Sequence, residues 1–177
     1  VHGRPLGRRP LRVNGASPDR DLFCASRKGL EDGSLRTRLR SEMEGKSEAL
    51  TEGVRVAVSS QYLPQQSNAA KNRFVFTYSV VIENQGPSAV ELKTRHWIIT
   101  DAQQDIEEVH GEGVVGEQPK LAPGESFEYR SGCVLTTPWG TMNGSYQMVR
   151  EDGSRFDAVI APFLLVAPFV APSGAPS

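Results

Sequence analysis

The chain has 177 residues and a net charge of −1, enough length to bury one sizeable core. Its charge is split: residues 1–50 carry 11 Lys/Arg against 7 Asp/Glu, and residues 51–177 carry 9 against 14. The larger, acidic part excludes a nucleic-acid binder, which needs clustered positive charge. With no apolar run near the roughly 18 residues of a membrane-spanning helix, no membrane partner is expected either.

In chain order, residues 1–33 lack sustained periodicity and read as a disordered basic extension. Its first 20 residues contain Arg4, Arg8, Arg9, Arg12 and Arg20 with Asp19 as the one acid, and the chain starts without Met. That composition fits the remnant of an organellar transit peptide or a plain basic tail, so the compartment stays open between cytoplasm and organelle. Residues 34–51 read as one short helix: Ser34 caps it, Leu35, Leu39 and Met43 recur every four residues, and Leu50 extends the stripe.

From Val54 the period changes to two. Val54, Val56 and Val58 alternate with Arg55 and Ala57, and Phe74, Phe76, Tyr78, Val80 and Ile82 make the clearest strand. In Val90–Thr100 the apolar phase switches between Leu92 and Trp97, which predicts a bulge near Thr94–Arg95 or burial of both faces. Strands follow at Ile106–His110, Ser126–Leu135, Thr141–Arg150 and Arg155–Val166. The last two are joined through Asp152-Gly153, a strong hairpin signal. Short strands between Gly/Pro turns predict an antiparallel β-sandwich, with a loose tail over residues 167–177. Cys24 and Cys133 form no CxxC pair and read as thiols of a reducing compartment, although a bridge between them is compatible with the sequence.

The segment Gly111-Glu112-Gly113-Val114-Val115-Gly116 has the letters of a dinucleotide fingerprint without its context. Pro119 and Pro123 follow at once and forbid the helix on which such a fingerprint depends. Two readings remain. The glycines bring backbone N–H groups together as an anion nest flanked by His110 and Lys120, or they only shape a long crossover.

Residues 53–166 resemble an ApaG domain. The resemblance is carried by Gln61-Tyr62-Leu63-Pro64, Asn72-Arg73-Phe74-Val75-Phe76, Arg95-His96-Trp97, Ile99-Thr100-Asp101 and the Gly111–Pro119 loop. It continues through Leu121-Ala122-Pro123-Gly124-Glu125, Thr137-Pro138, Gly140-Thr141-Met142 and Pro162-Phe163. What the resemblance implies is an all-β fold, a fibronectin type III/immunoglobulin-like sandwich, here with a short N-terminal helix added. It implies a protein-binding role as in relatives appended to F-box proteins and to a polymerase-delta-interacting protein. For stand-alone bacterial members it implies phosphate binding at the glycine loop, or a part in divalent-cation homeostasis. Asp101-Ala102-Gln103-Gln104-Asp105 departs from the pattern by lacking a glycine in its turn.

The expected function is therefore non-catalytic recognition of a protein partner through a sheet edge or loops. Arg95, Trp139, Glu117 and Gln118 are the contact candidates. The alternative is phosphate, pyrophosphate or nucleotide-phosphate binding at Gly111, Gly113 and Gly116 with His110 and Lys120. Trp97 reads as core and His96 as a satisfied structural histidine. His2, His96 and His110 show neither HxH nor HxxxH spacing, so no metal site and no cofactor is expected. No Gly-x-Ser-x-Gly elbow exists, and no catalytic residue is assigned.

Overall fold

The computed structural model describes residues 45–168. The basic extension, residues 34–44 of the expected helix and residues 169–177 of the expected tail lie outside the described residues. Among the described residues there are nine strands: β1 (Lys46–Thr51), β2 (Val54–Tyr62), β3 (Phe74–Asn84), β4 (Val90–Asp101), β5 (Ile106–Glu112), β6 (Lys120–Leu121), β7 (Ser126–Leu135), β8 (Trp139–Arg150) and β9 (Arg155–Val166). Two antiparallel sheets pack face to face, ordered β1-β2-β3-β7 and β5-β4-β8-β9, with β6 pairing the start of β4. The all-β sandwich is the expected one.

The helix over residues 34–51 needs correction where it can be seen. Lys46–Thr51 is a strand that pairs with Val54–Ser59 of β2, and Glu52-Gly53 closes the hairpin with φ of 48° and 86°. Gly53 tolerates that left-handed conformation because it has no Cβ. Leu50, which in the sequence extends the helical stripe, points outward and is 63% exposed. The opposite face carries small groups that join β1 to β9 across the sandwich corner. Ser47 Oγ donates to the Ala161 carbonyl at 2.7 Å, and the Val159 amide donates to Thr51 Oγ1 at 3.1 Å. Tertiary pairing outweighs a weak local preference here.

The core is built from the inward alternation of both sheets. Trp97 is 3% exposed and packs its ring 5.4 Å from Tyr78, 6.1 Å from Tyr146 and 6.0 Å from Phe163. Tyr129 and Tyr146 share a 2.5 Å hydroxyl hydrogen bond between the sheets. Burial pushes both phenol pKa values well above their usual range, so the pair is neutral and structural. Cys133 is buried in β7, and Cys24 lies outside the described residues.

The phase switch in β4 is a bulge. The register with β8 shifts between Leu92 and Thr94, which places Leu92 and Trp97 inward despite their opposite parity. The bulge lies just ahead of the expected Thr94–Arg95. Ile106–His110 runs on to Glu112, and the Asp152-Gly153 turn joins β8 and β9 as expected. In the 101–105 turn, Gln104 takes a φ of 69° where a glycine would be ordinary. Asp101 Oδ1 holds the turn by accepting from the amides of Gln103 and Asp105 at 2.8 and 3.0 Å.

Candidate functional site

Three surfaces hold the residues singled out in the sequence. The first is the glycine loop, and it is best understood from the bulge in β4. The Lys93 carbonyl, at that bulge, accepts from the Gly113 amide at 2.8 Å and from Gln118 Nε2 at 3.0 Å. Val114 and Glu117 then exchange amide-to-carbonyl bonds of 2.8 and 2.9 Å around Val115-Gly116, whose φ values are 45° and 79°. The chain resumes at once as β6 beside Val90 and Glu91. Val114 is fully buried and plugs the loop into the core, while Val115 packs against it in a conformation that a β-branched residue adopts only under tertiary constraint.

This accounting leaves the Gly113, Val114 and Glu117 amides committed to carbonyls rather than turned toward a shared anion. The polarity on the inner side is also opposite to that of a nest. Arg95 Nη1 donates to the Glu112 carbonyl at 3.0 Å and to the Gly113 carbonyl at 2.7 Å, so the loop presents acceptors to a cation. A Cβ on Gly113 would lie 2.2 Å from the Glu117 oxygen, and one on Gly111 would lie 2.7 Å from the Arg95 guanidinium carbon. Gly113 is therefore required, because backbone stands in the way, whereas at Gly111 the obstacle is the end of a flexible side chain. His110 projects from the outer face of β5, and Lys120 sits 3.8 Å from Glu151, so neither is drawn into the loop. Of the contact candidates, Arg95 holds this loop together and Gln118 ties it to β4, while Glu117 is exposed at its rim.

The second surface surrounds Trp139, the first residue of β8. Thr137 Oγ1 accepts from the Ala102 amide at 3.2 Å and donates to the Trp139 carbonyl at 2.8 Å, which pins the turn and holds the indole outward. Trp139 pairs with Val166 and is 42% exposed; Leu164, two residues back on the same face of β9, is 50% exposed. Val166 is itself 37% exposed, and Pro162 continues the outward row.

The third surface was not anticipated. His96 of β4 lies directly opposite His110 of β5, and Glu108 shares the outer face two residues before His110. The two imidazoles stack at 4.0 Å with 10° between planes. Glu108 Oε2 lies 2.9 Å from His96 Nε2 and 3.5 Å from His110 Nε2. The hydrogen bond from His96, reinforced by that from His110, lowers the Glu108 pKa below the usual carboxylate value. One ligand-capable atom from each of the three residues lies within 4.8 Å of the others. Among the described residues these are the ones that could hold a metal. The structural reading of His96 held only in part: it has a partner, but it sits on an open face. A usable signal did exist. A hairpin turning at 101–105 predicts the opposition of residues 96 and 110, and strand alternation then places Glu108 beside them.

The comparisons with known proteins agree with the fold. The ApaG domain family matches residues 64–150. Protein ApaG of Anaeromyxobacter dehalogenans (strain 2CP-C) is 57% identical over 122 residues, which is 69% of this chain and 96% of that protein. Protein ApaG of Thiobacillus denitrificans is 55% identical over 117 residues, covering 66% and 92%. The crystal structure of the ApaA protein from Bordetella pertussis superposes with a TM-score of 0.64 at 50% identity, covering 66% of this chain and 95% of that one. The chain belongs to the ApaG domain family.

Proposed function

We propose that this ApaG domain is a non-catalytic module that recognises a protein partner through the surface formed by Trp139, Leu164 and Val166. The carrying observation is that a tryptophan, a leucine and a valine stand near one another on the outer face of β8 and β9 at 42%, 50% and 37% exposure. A Trp has two rotatable side-chain bonds and a large apolar area, so docking it costs little entropy for the area buried; such residues dominate protein interfaces. Contiguous apolar surface of this kind is otherwise a liability for a soluble domain. The Thr137 hydrogen bonds hold the backbone around the indole in place before any partner arrives.

Placement of the reactive groups supports leaving catalysis out of this reading. Cys133 is enclosed in β7, and the buried tyrosine pair is held neutral between the sheets. The phosphate reading of the glycine loop has no comparable support, because its bonded amides face carbonyls and its inner carbonyls face Arg95.

The test is comparative capture. Wild-type protein, Trp139→Ala/Leu164→Ser and a control Arg130→Ala on the other sheet are used as bait, and the recovered partner is rebound in purified form by calorimetry. The double variant is expected to keep its unfolding temperature and lose at least about tenfold in affinity, or 1.4 kcal/mol. Equal affinity of all three baits for the purified partner would remove this surface from the function.

A further inference from the structure

We propose that His96, Glu108 and His110 form a binding site for one divalent transition-metal ion of the zinc, cobalt or nickel class. The site lies on the β4–β5 side of the sheet and rests on observations separate from the Trp139 surface.

Geometry carries the argument. His96 and His110 are directly opposed on antiparallel strands, and Glu108 is the next outward residue of β5, so all three project from one rigid face. Both imidazoles bring Nε2 toward the same carboxylate oxygen, at 2.9 and 3.5 Å, and all three ligand atoms lie within 4.8 Å of one another. Zinc bonds of about 2.0–2.2 Å to nitrogen and oxygen place neighbouring ligand atoms roughly 3–3.5 Å apart. The spacing present is close to that, and the remaining adjustment falls on side chains that have room to rotate. His110 and Glu108 are 62% and 55% exposed.

An ordinary ion pair explains the arrangement less completely. One carboxylate needs one imidazolium, yet two rings are stacked at 4.0 Å beside it. A dication would use both ring nitrogens and the carboxylate together. Glu112, at the next outward position of β5, adds negative charge to the same face.

The donor set also selects the ion. Two imidazoles and one carboxylate suit zinc, cobalt, nickel or copper, whereas magnesium and calcium prefer all-oxygen surroundings. Three protein ligands on an open face leave at least one coordination position for water or for a donor from a second molecule.

The full chain, stripped with chelator, is titrated with zinc chloride by calorimetry while the histidine ring signals are followed by NMR. One zinc per chain is expected, with the His96 and His110 rings shifting together. His110→Ala and, separately, Glu108→Gln are each expected to weaken binding at least about tenfold without changing metal-free thermal unfolding, and His2→Ala to leave it intact. Cobalt should displace zinc competitively, while excess magnesium should not. Absence of saturable zinc binding, or unchanged affinity in both His110→Ala and Glu108→Gln, would overturn the site. Displacement by equimolar magnesium would overturn the assigned class of ion.

Discussion

The glycine loop and the His96–Glu108–His110 group are continuous along β5, and they make opposite use of their polar atoms. In the loop, the Gly113, Val114 and Glu117 amides bond to carbonyls of the same domain, and Arg95 satisfies the Glu112 and Gly113 carbonyls. In the histidine group, the side chains turn their polar atoms toward one another, on a face open to solvent. The loop is the more conspicuous in sequence and the more completely enclosed in space. A run of glycines reports that the backbone must approach something closely; here the something is the domain's own β4 bulge. Ligand capacity arises instead where side chains converge without internal donors to saturate them.

The sharpest way to break this comparison is to substitute neighbours on opposite faces. Trp97→Ala removes the aromatic centre of the core and is expected to cost about 3–5 kcal/mol in urea unfolding, whereas substitution of its sequence neighbour His96 should be nearly neutral. A loss below about 1 kcal/mol would mean that the Trp97 ring is not the packing centre described.

Gly113→Ala tests the loop itself. The added Cβ meets the Glu117 oxygen at 2.2 Å and the residue sits at a φ of 59°. A loss of about 1–3 kcal/mol is expected. Retained stability with a lost response to pyrophosphate would restore the phosphate reading.

Arg95→Met keeps the aliphatic stem and leaves the two loop carbonyls without their cation. About 1–2 kcal/mol should be lost, with amide exchange accelerated at 112–117 and unchanged in β2. Uniform acceleration through both sheets would show that Arg95 is not local to the loop.

The smallest effects belong to the histidine group. His110→Ala in metal-free protein should alter stability by no more than about 0.5 kcal/mol. The sign of the pH effect at Glu108 follows from its lowered pKa. Its contribution is present above the ordinary carboxylate pKa and disappears as pH falls through the depressed value in the folded state. Because the carboxylate is exposed, the change in acid-limb unfolding between wild type and Glu108→Gln should be small. A large one would place Glu108 in a less solvated setting than the structure shows.

The legible parts of the fold were those in which burial imposes alternation. Ser126–Leu135 and Arg155–Val166 have the strand bounds expected from period and turns. The bulge was visible as the parity change from Leu92 to Trp97. β1 was not legible: the helical stripe Leu35, Leu39, Met43 had an apparent continuation at Leu50. What makes Lys46–Thr51 a strand is the row of partners in β2 and the hydrogen bonds to β9, all remote in sequence. The site was legible to a lesser degree. The exposure of Trp139 depends on how Thr137 folds its turn, and a spacing rule written for a single helix or strand has no place for a histidine pair formed across two strands.

By itself the sequence determined the sandwich and most of its strands, because alternation of apolar side chains is a local consequence of burying one sheet face. It also determined the ApaG kinship, through motifs spread over the length of the domain. Only the tertiary structure decided where polar groups point: the glycine amides to internal carbonyls, Arg95 to the loop, and His96 across to His110 and Glu108. Hydrogen bonds and ligand geometry depend on distances of a few ångströms between residues far apart in the chain. Those distances are settled by strand register and sheet packing.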